Sequence, residues 1–527
     1  EGALTEARFP RIDVMNVRTF DFLVADPETG HTVRTFDETS HVTTTETVER
    51  TTEPTVGDAL AYTQTIRESG DGHGHEWTLT VEYAVDTDGD AVLADVDFEG
   101  EREYDVYALV DTTITNVGTN DRGDRVESAD GYHLVARNDD ADERGTGKLV
   151  DDDGDSFEVA LALASESRFE WASTLLAGGH EAEGLFAEGE RGPGLTEASG
   201  NVVLAGLVGS GTAVSETVAL GFAEEADTDA ALDEAKNAIS RGFDDVADSY
   251  IETWRDWLSG REFPDSVTGD AELAAQYRFA LMTLAAVEDK RHDGAGIASP
   301  SVPWGETEYA AEDRGYGYNF VWSRDLYQVF TALIEVGEVD RGAEALAYLY
   351  NTQQDDDGFL PQNTYIDGRT RWGGEQMDNI AFPSVMAWQL YEHGVAPDDA
   401  DYTYDQVRRS LGYIAANGPE TAQERWEEEA GFSPSSIAAE IAGLVCGAAL
   451  ALAEADRIES GGGAVGVSDD DLAPDALRAD ALAWLGLADD WTERVEEWCA
   501  TSTGTERHAE TPYYLRVTAD GDPESGR

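Results

Sequence analysis

The hydrophobic pattern of this chain changes period once, near residue 222, and that switch limits what the chain can fold into. Before it, apolar and polar residues alternate in short runs at 76–84, 91–98, 104–110, 157–163 and 212–222. Successive side chains of a strand point to opposite faces, so alternation marks strands with one buried face. Asp/Gly turns separate the runs, and many short strands so spaced predict an antiparallel sandwich over residues 1–222. After the switch, apolar residues recur at helical spacing. Residues 230–257 read as helix, entered through the acidic stretch 227–233, which predicts a helical linker over 223–264. From 265 to 527, helices are expected near 271–288, 324–337, 341–353, 380–393, 404–417, 435–455, 474–486 and 490–499. No strands are expected there, which disfavours a parallel βαβ fold. The long loops 289–323, 354–379 and 418–434 are rich in Trp, Tyr, Arg and carboxylates, and loops of that length usually carry function.

Charge narrows the partners. Asp and Glu total 109 against 35 Lys plus Arg, a net charge of −74, and the only lysines are Lys148, Lys236 and Lys290. An acidic excess along the whole length with Lys nearly absent is the solvation pattern of proteins that work in concentrated salt, where screening removes self-repulsion. It argues against nucleic acid and anionic membranes as partners. An acidic disordered chain is excluded by the 41% apolar content and the 12 Trp. A monomer is expected, with no run long enough to span a bilayer. The environment is a salty one, secreted or cytoplasmic. Cys446 and Cys499 lack metal-ligand or CxxC spacing, and Cys446 is expected to be a buried inert thiol. The acidic turns 86–90 and 151–155 lack the Gly and distal Glu spacing that a calcium loop needs. They are expected to be solvated turns. No cofactor is needed, and the spacing does not support a structural calcium. The chain opens at Glu1 without Met and stops just after a loop, so a fragment at both ends is expected.

Three loop motifs carry candidate chemistry. Gln423-Glu-Arg-Trp-Glu-Glu-Glu429 sets several carboxylates beside the indole of Trp426, just before Gly431-Phe-Ser-Pro-Ser-Ser-Ile437 opens a helix. Cleaving a sugar needs an aromatic wall and a carboxylic acid that holds a proton for the leaving oxygen. The same residues would also suit an amphipathic helix with a half-buried Trp. Gly315-Tyr-Gly-Tyr-Asn-Phe-Val-Trp-Ser-Arg-Asp325 ends in an Arg-Asp pair behind an aromatic cluster. Such a pair can grip neighbouring sugar hydroxyls while Trp and Tyr pack the ring. A plain helix start, with Asp325 pairing locally with Arg324, is the alternative. Gly358-Phe-Leu-Pro-Gln-Asn-Thr364 and Trp372-Gly-Gly-Glu-Gln-Met-Asp-Asn379 place another indole among amides and carboxylates at a helix start.

With these motifs in this order, the chain resembles glycoside hydrolase family 15 enzymes of the prokaryotic glucoamylase/glucodextranase type. The resemblance spans nearly the whole chain. It includes Gly2-Ala-Leu-Thr-Glu-Ala-Arg-Phe-Pro-Arg-Ile-Asp13, Gly296-Ile-Ala-Ser-Pro-Ser-Val-Pro-Trp-Gly305, Val321-Trp-Ser-Arg-Asp-Leu326, Ser433-Pro-Ser-Ser-Ile437 and Tyr513-Tyr-Leu-Arg-Val517. It implies a β super-sandwich, a helical linker and an (α/α)6 barrel, incomplete in this chain. The implied activity is exo-hydrolysis of α-glucosidic bonds with inversion, releasing β-glucose from an α-glucan. By resemblance Glu427 matches the general acid, and Tyr318, Trp322, Arg324 and Asp325 match the group holding the terminal glucose. Trp372, Gln376 and Asp378 match the adjoining loop, and Arg516 with Glu428 match the leaving side. To act as an acid Glu427 must keep its proton, which Trp426, Glu424 and Glu428 are expected to favour. Family members usually carry Pro where Ser323 stands. The resemblance places the water-activating base late in the barrel, beyond Arg527. A phosphorylase of the same architecture and a non-catalytic sugar-binding fragment are the alternative readings.

Overall fold

The computed structural model of the chain describes residues 2–36, 48–69, 75–129, 131–138, 157–300, 318–397, 399–461, 473–504, 508 and 510–525. The acidic turn 151–155, residues 301–305 of the motif beginning at Gly296 and residues 315–317 of the aromatic cluster lie outside the described residues. The chain divides into two compact units, Glu1–Thr283 with Pro300–Tyr318, and Leu284–Ser299 with Asn319–Arg527.

The first unit is built on one hydrogen-bonded network of thirteen antiparallel strands. Runs 91–98 and 104–110 are not separate strands, as expected, but one strand, Ala91–Thr112. The run 212–222 is the end of another long strand, Val202–Glu224. These two strands pair from Val203 opposite Asp111 to Gly221 opposite Ala91, with register shifts at Leu207/Gly209 and Gly211/Ala213. Such shifts let a long strand bend without losing its ladder. The charged stretch 99–103 looks like a turn because it is the solvated middle of the strand. Side chains from strands that share no ladder meet in the core. Phe20, on the strand Met15–Ala25, packs edge-on to Tyr83 of Trp77–Val85 at 6.0 Å, with Phe22, Ile66, Leu79, Phe98 and Leu161 in the same cluster. Layers facing each other in this way form a sandwich.

Helix α1 (His180–Glu188) lies within the strand sequence, and α2 (Thr228–Arg241) and α3 (Phe243–Ser259) follow it. The helix expected over 230–257 is therefore two, broken at Gly242, whose φ of +88° a side chain would strain. Asp227 caps α2 by accepting from the backbone N–H groups of Asp229 and Ala230, worth about 1 kcal/mol. Ala231, Ala235 and Ala238 set α2 against Ala160, Ala162 and Ala219. The approach is so close that a Cβ on Gly221 would collide with the Ala231 carbonyl. Asp86 corrects the expectation of a solvated acidic turn. It is buried, accepts from the Asp88 N–H and pairs with Arg241 at the end of α2. Short α4 (Asp265–Thr268) and α5 (Ala271–Ala286) follow.

The second unit is helical, with α6 (Ser323–Ile334), α7 (Val339–Tyr348), α8 (Met377–Glu392), α9 (Tyr404–Asn417), α10 (Pro434–Glu459) and α11 (Pro474–Cys499). The two helices expected at 474–486 and 490–499 are one, because Gly486 lies on an open face where it interrupts nothing. Contrary to expectation this segment has strands, the two-residue and three-residue pairs Asn363–Thr364 with Thr370–Trp372, and Ala500–Thr501 with Tyr513–Tyr514. A second correction concerns α10, which is long and apolar enough by length and composition to cross a membrane. It packs on α8 and α11 and buries Glu440 and Glu454, as a core helix does. Cys499 is buried and Cys446 only half-buried, and burial pushes each thiol up to about 11.

Candidate functional site

Two helix starts and one loop build a polar cluster in the second unit. The starts of α6 and α8 are joined through a proline. Pro383 has no N–H to give the Asn379 carbonyl four residues earlier, and that carbonyl instead accepts from Ser323 Oγ at 2.6 Å. Asn379 also accepts the Arg324 N–H on its Oδ1 at 3.1 Å, and its Nδ2 donates to the Gln362 carbonyl and to Gln376 Oε1, both at 3.0 Å. Ser323 thus has a definite partner. Sequence reasoning passed over Asn379, although its position beside Asp378 at a helix start was a usable signal.

The third component is the loop 423–429. Its base is clipped by Thr421 and Gly431, which exchange N–H···O bonds at 3.1 and 3.0 Å. Inside, Glu424 is fully buried. Its carboxylate accepts the Trp426 N–H at 2.9 Å, while its own N–H donates to the Glu429 carbonyl at 2.8 Å. This tight turn forces Glu427 to φ +67°, a left-handed conformation uncommon for a side-chain-bearing residue. Backbone strain of this kind clusters at functional sites.

The turn delivers the Glu427 carboxylate to Trp322 and Arg324. Glu427 Oε1 accepts from Trp322 Nε1 at 2.9 Å and from Arg324 Nη2 at 3.3 Å. Among the described residues, its Oε2 makes no hydrogen bond. Arg324 Nη1 also donates to Gln376 Oε1 at 2.9 Å and to Asp378 Oδ2 at 3.2 Å. Trp322, Arg324, Gln376 and Asp378 are all buried, whereas the Glu427 side chain keeps 27% exposure. Asp325 stands 4.0 Å from Arg324. Burial raises its carboxyl, Arg324 pulls it down, and Glu427 and Asp378 push it up.

Aromatic rings wall one side. Trp322 and Trp372 pack edge-on at 6.1 Å, and Phe320, which was not singled out from sequence, packs against both. Trp426 is 65% exposed, so the indole against Glu427 belongs to Trp322 and not to Trp426. Glu428 is exposed too and pairs with Arg516 at 2.8 Å, with Arg516 also 3.9 Å from Glu424. Tyr318 is half-buried and groups with the first unit. No group of three or more metal-ligating side chains occurs among the described residues.

Residues 1–259 match the family model of glucodextranase domain N, and residues 274–520 match that of glycosyl hydrolases family 15. A glucoamylase of Clostridium sp. (strain G0005) is 27% identical over 533 residues, covering 99% of this chain and 65% of its own length. The chain therefore spans about two thirds of that relative. The crystal structure of a bacterial glucoamylase complexed with acarbose superposes with a TM-score of 0.77 at 24% identity, covering 99% of this chain and 68% of that one. That likeness establishes the fold, a large antiparallel β domain followed by a helical domain. A putative kojibiose phosphorylase from human microbiome gives a TM-score of 0.48 at 10% identity, too low to bear on activity. The two matches identify residues 274–520 as a glycosyl hydrolases family 15 segment and residues 1–259 as a glucodextranase-type N-terminal domain.

Proposed function

We propose that the protein is an exo-acting glycoside hydrolase that cleaves terminal α-glucosidic bonds of α-glucans with inversion. One observation carries the reading: a strained turn presents Glu427 with Oε1 held by Trp322 and Arg324 and Oε2 unbonded among the described residues. A general acid must be fixed in place yet keep one oxygen for the leaving group, and this arrangement provides both. Inversion pairs such an acid with a base that activates water on the opposite face of the sugar. Glu427 supplies the acid half.

The other roles follow from chemistry and position. Trp322 and Trp372 offer ring surfaces to the terminal glucose. Arg324 and Asp325 take its hydroxyls, and Gln376 and Asp378 hold Arg324 in place. Glu428 and Arg516 serve the leaving side, with the exposed indole of Trp426 as a further sugar contact. We assign 1–222 to a β domain, 223–264 to a connector and 265–527 to the catalytic domain, working in concentrated salt.

The test is Glu427→Gln in the full-length protein. Loss of α-glucoside hydrolysis with maltotriose affinity kept within about fivefold is expected. Near-parental turnover by this variant would sink the assignment.

A further inference from the structure

The hydroxyl of Thr421 is used twice, and both uses join the loop that carries Glu427 to the start of α8. The first N–H groups of a helix have no partner within it, and the residue ahead of the helix often caps them. In α8 that residue is Gln376, whose Oε1 is taken by Arg324 Nη1 and Asn379 Nδ2, so its side chain caps nothing. The cap comes from another segment: the Met377 N–H donates to Thr421 Oγ1 at 3.2 Å. A hydroxyl has one proton to give. That of Thr421 goes to the Gln423 carbonyl at 2.7 Å, with the Glu375 carbonyl the more distant acceptor at 3.5 Å. Thr421 is 1% exposed, so bulk water has no access to replace either bond.

Other contacts show how closely the two segments are set. The Gln423 N–H donates to the Glu375 carbonyl at 3.0 Å, and Thr421 exchanges N–H···O bonds with Gly431 at the base of the loop. A Cβ on Gly374 would stand 2.0 Å from Gln423 Oε1, so the approach to α8 touches the loop where only glycine fits. Each segment carries a different part of the site. Gln376 and Asp378, on the α8 side, hold Arg324 Nη1. Glu427, on the loop side, is held by Arg324 Nη2 and Trp322. The Thr421 hydroxyl lies between the two with a bond to each.

We propose that Thr421 is a positioning residue. Its hydroxyl registers the loop on α8, so that Glu427 Oε1 reaches Trp322 and Arg324 together and Oε2 meets the leaving oxygen in a fixed place. Thr421→Val puts a methyl group where the hydroxyl was and leaves both the Met377 N–H and the Gln423 carbonyl without this partner. The inference rests on the reading of Glu427 as the acid, but the anchoring of the loop can be read without turnover.

A leaving group that needs no proton separates a displaced acid from general damage. Fluoride departs from α-glucosyl fluoride as the anion, whereas the sugar that leaves maltotriose must be protonated. In the full-length protein, Thr421→Val should lower kcat for maltotriose by at least about tenfold with KM within about threefold, because a small misplacement of a catalytic group is costly. Its kcat for α-glucosyl fluoride should stay within about threefold of the parent, since little acid assistance is lost there. Thr421→Ser restores donor and acceptor and should recover maltotriose turnover to within about threefold. Glu427→Gln should show the same split between substrates, more severely. Amide hydrogen exchange supplies the readout without turnover: Thr421→Val should speed exchange in residues 423–429 and the first turn of α8 and leave α11 unchanged. Thr421→Ala is measured in the same way should Thr421→Val not fold.

Equal losses on both substrates, unchanged maltotriose turnover, or no recovery by Thr421→Ser overturns the proposal. Full maltotriose turnover by Glu427→Gln overturns the acid reading instead. The exchange pattern then decides the anchoring alone: faster exchange in the loop upholds it, and unchanged exchange overturns it.

Discussion

Replacing Arg324 with Leu should unfold the second unit well before it disturbs the first. Arg324 is 9% exposed, and its guanidinium ties together Gln376, Asp378 and Glu427. Asp378 is 3% exposed, so removing its partner leaves a buried charge uncompensated, a change that costs about 3–5 kcal/mol. Glu427 adds little to that figure, because 27% of its side chain meets solvent and screens its share. In a unit of this size each kcal/mol moves the midpoint by about 2–4 °C, which gives a loss of roughly 6–20 °C in differential scanning calorimetry. Arg324→Lys should recover only part of it, since a compact ammonium has a single nitrogen and cannot span the partners that Nη1 and Nη2 reach separately. The control is Arg324→Leu/Asp378→Asn, which removes both charges and should melt higher than Arg324→Leu alone. A single variant within about 2 °C of the parent, or a double variant no better than the single, would refute the reasoning.

Two further outcomes are expected. Ser323→Ala leaves the buried Asn379 carbonyl without its donor, costing about 1–3 kcal/mol and loosening the α6–α8 junction; unchanged stability and kcat would show that this carbonyl finds another partner. With a net charge of −74, the melting temperature should climb steeply between 0.1 and 2 M KCl as the screening length falls from about 10 Å to below about 3 Å, and a flat salt response would contradict the salt-adapted reading.

How far the sequence foretold this structure depended on whether a signal was local. Helix α9 is legible from end to end because Thr403 and Gln406 form a capping box at its start and Gly418 ends it. The long strands Ala91–Thr112 and Val202–Glu224 were not, because their partners lie far along the chain and their middles, charged at 99–103 and Gly-Ser-Gly at 209–211, imitate turns. At the site, the Trp-Ser-Arg-Asp and Gly-Gly-Glu-Gln-Met-Asp-Asn motifs were visible, but not how they join. That junction needs a proline inside α8 to free a carbonyl for a serine in another helix. Adjacency in sequence points to Trp426 as the wall for Glu427. The left-handed turn at Glu427 sends the carboxylate to Trp322 instead and leaves Trp426 facing solvent.

The most direct test of the central claim follows sugar release by proton NMR from the full-length protein in concentrated KCl. Maltotriose, isomaltotriose and trehalose would be compared, with and without phosphate. Free β-glucose appearing first, without phosphate, is the predicted result, and the preferred sugar identifies the linkage. α-Glucose appearing first, glucose phosphate formed only when phosphate is present, or no release from any of the three, would contradict inverting hydrolysis with Glu427 as its acid.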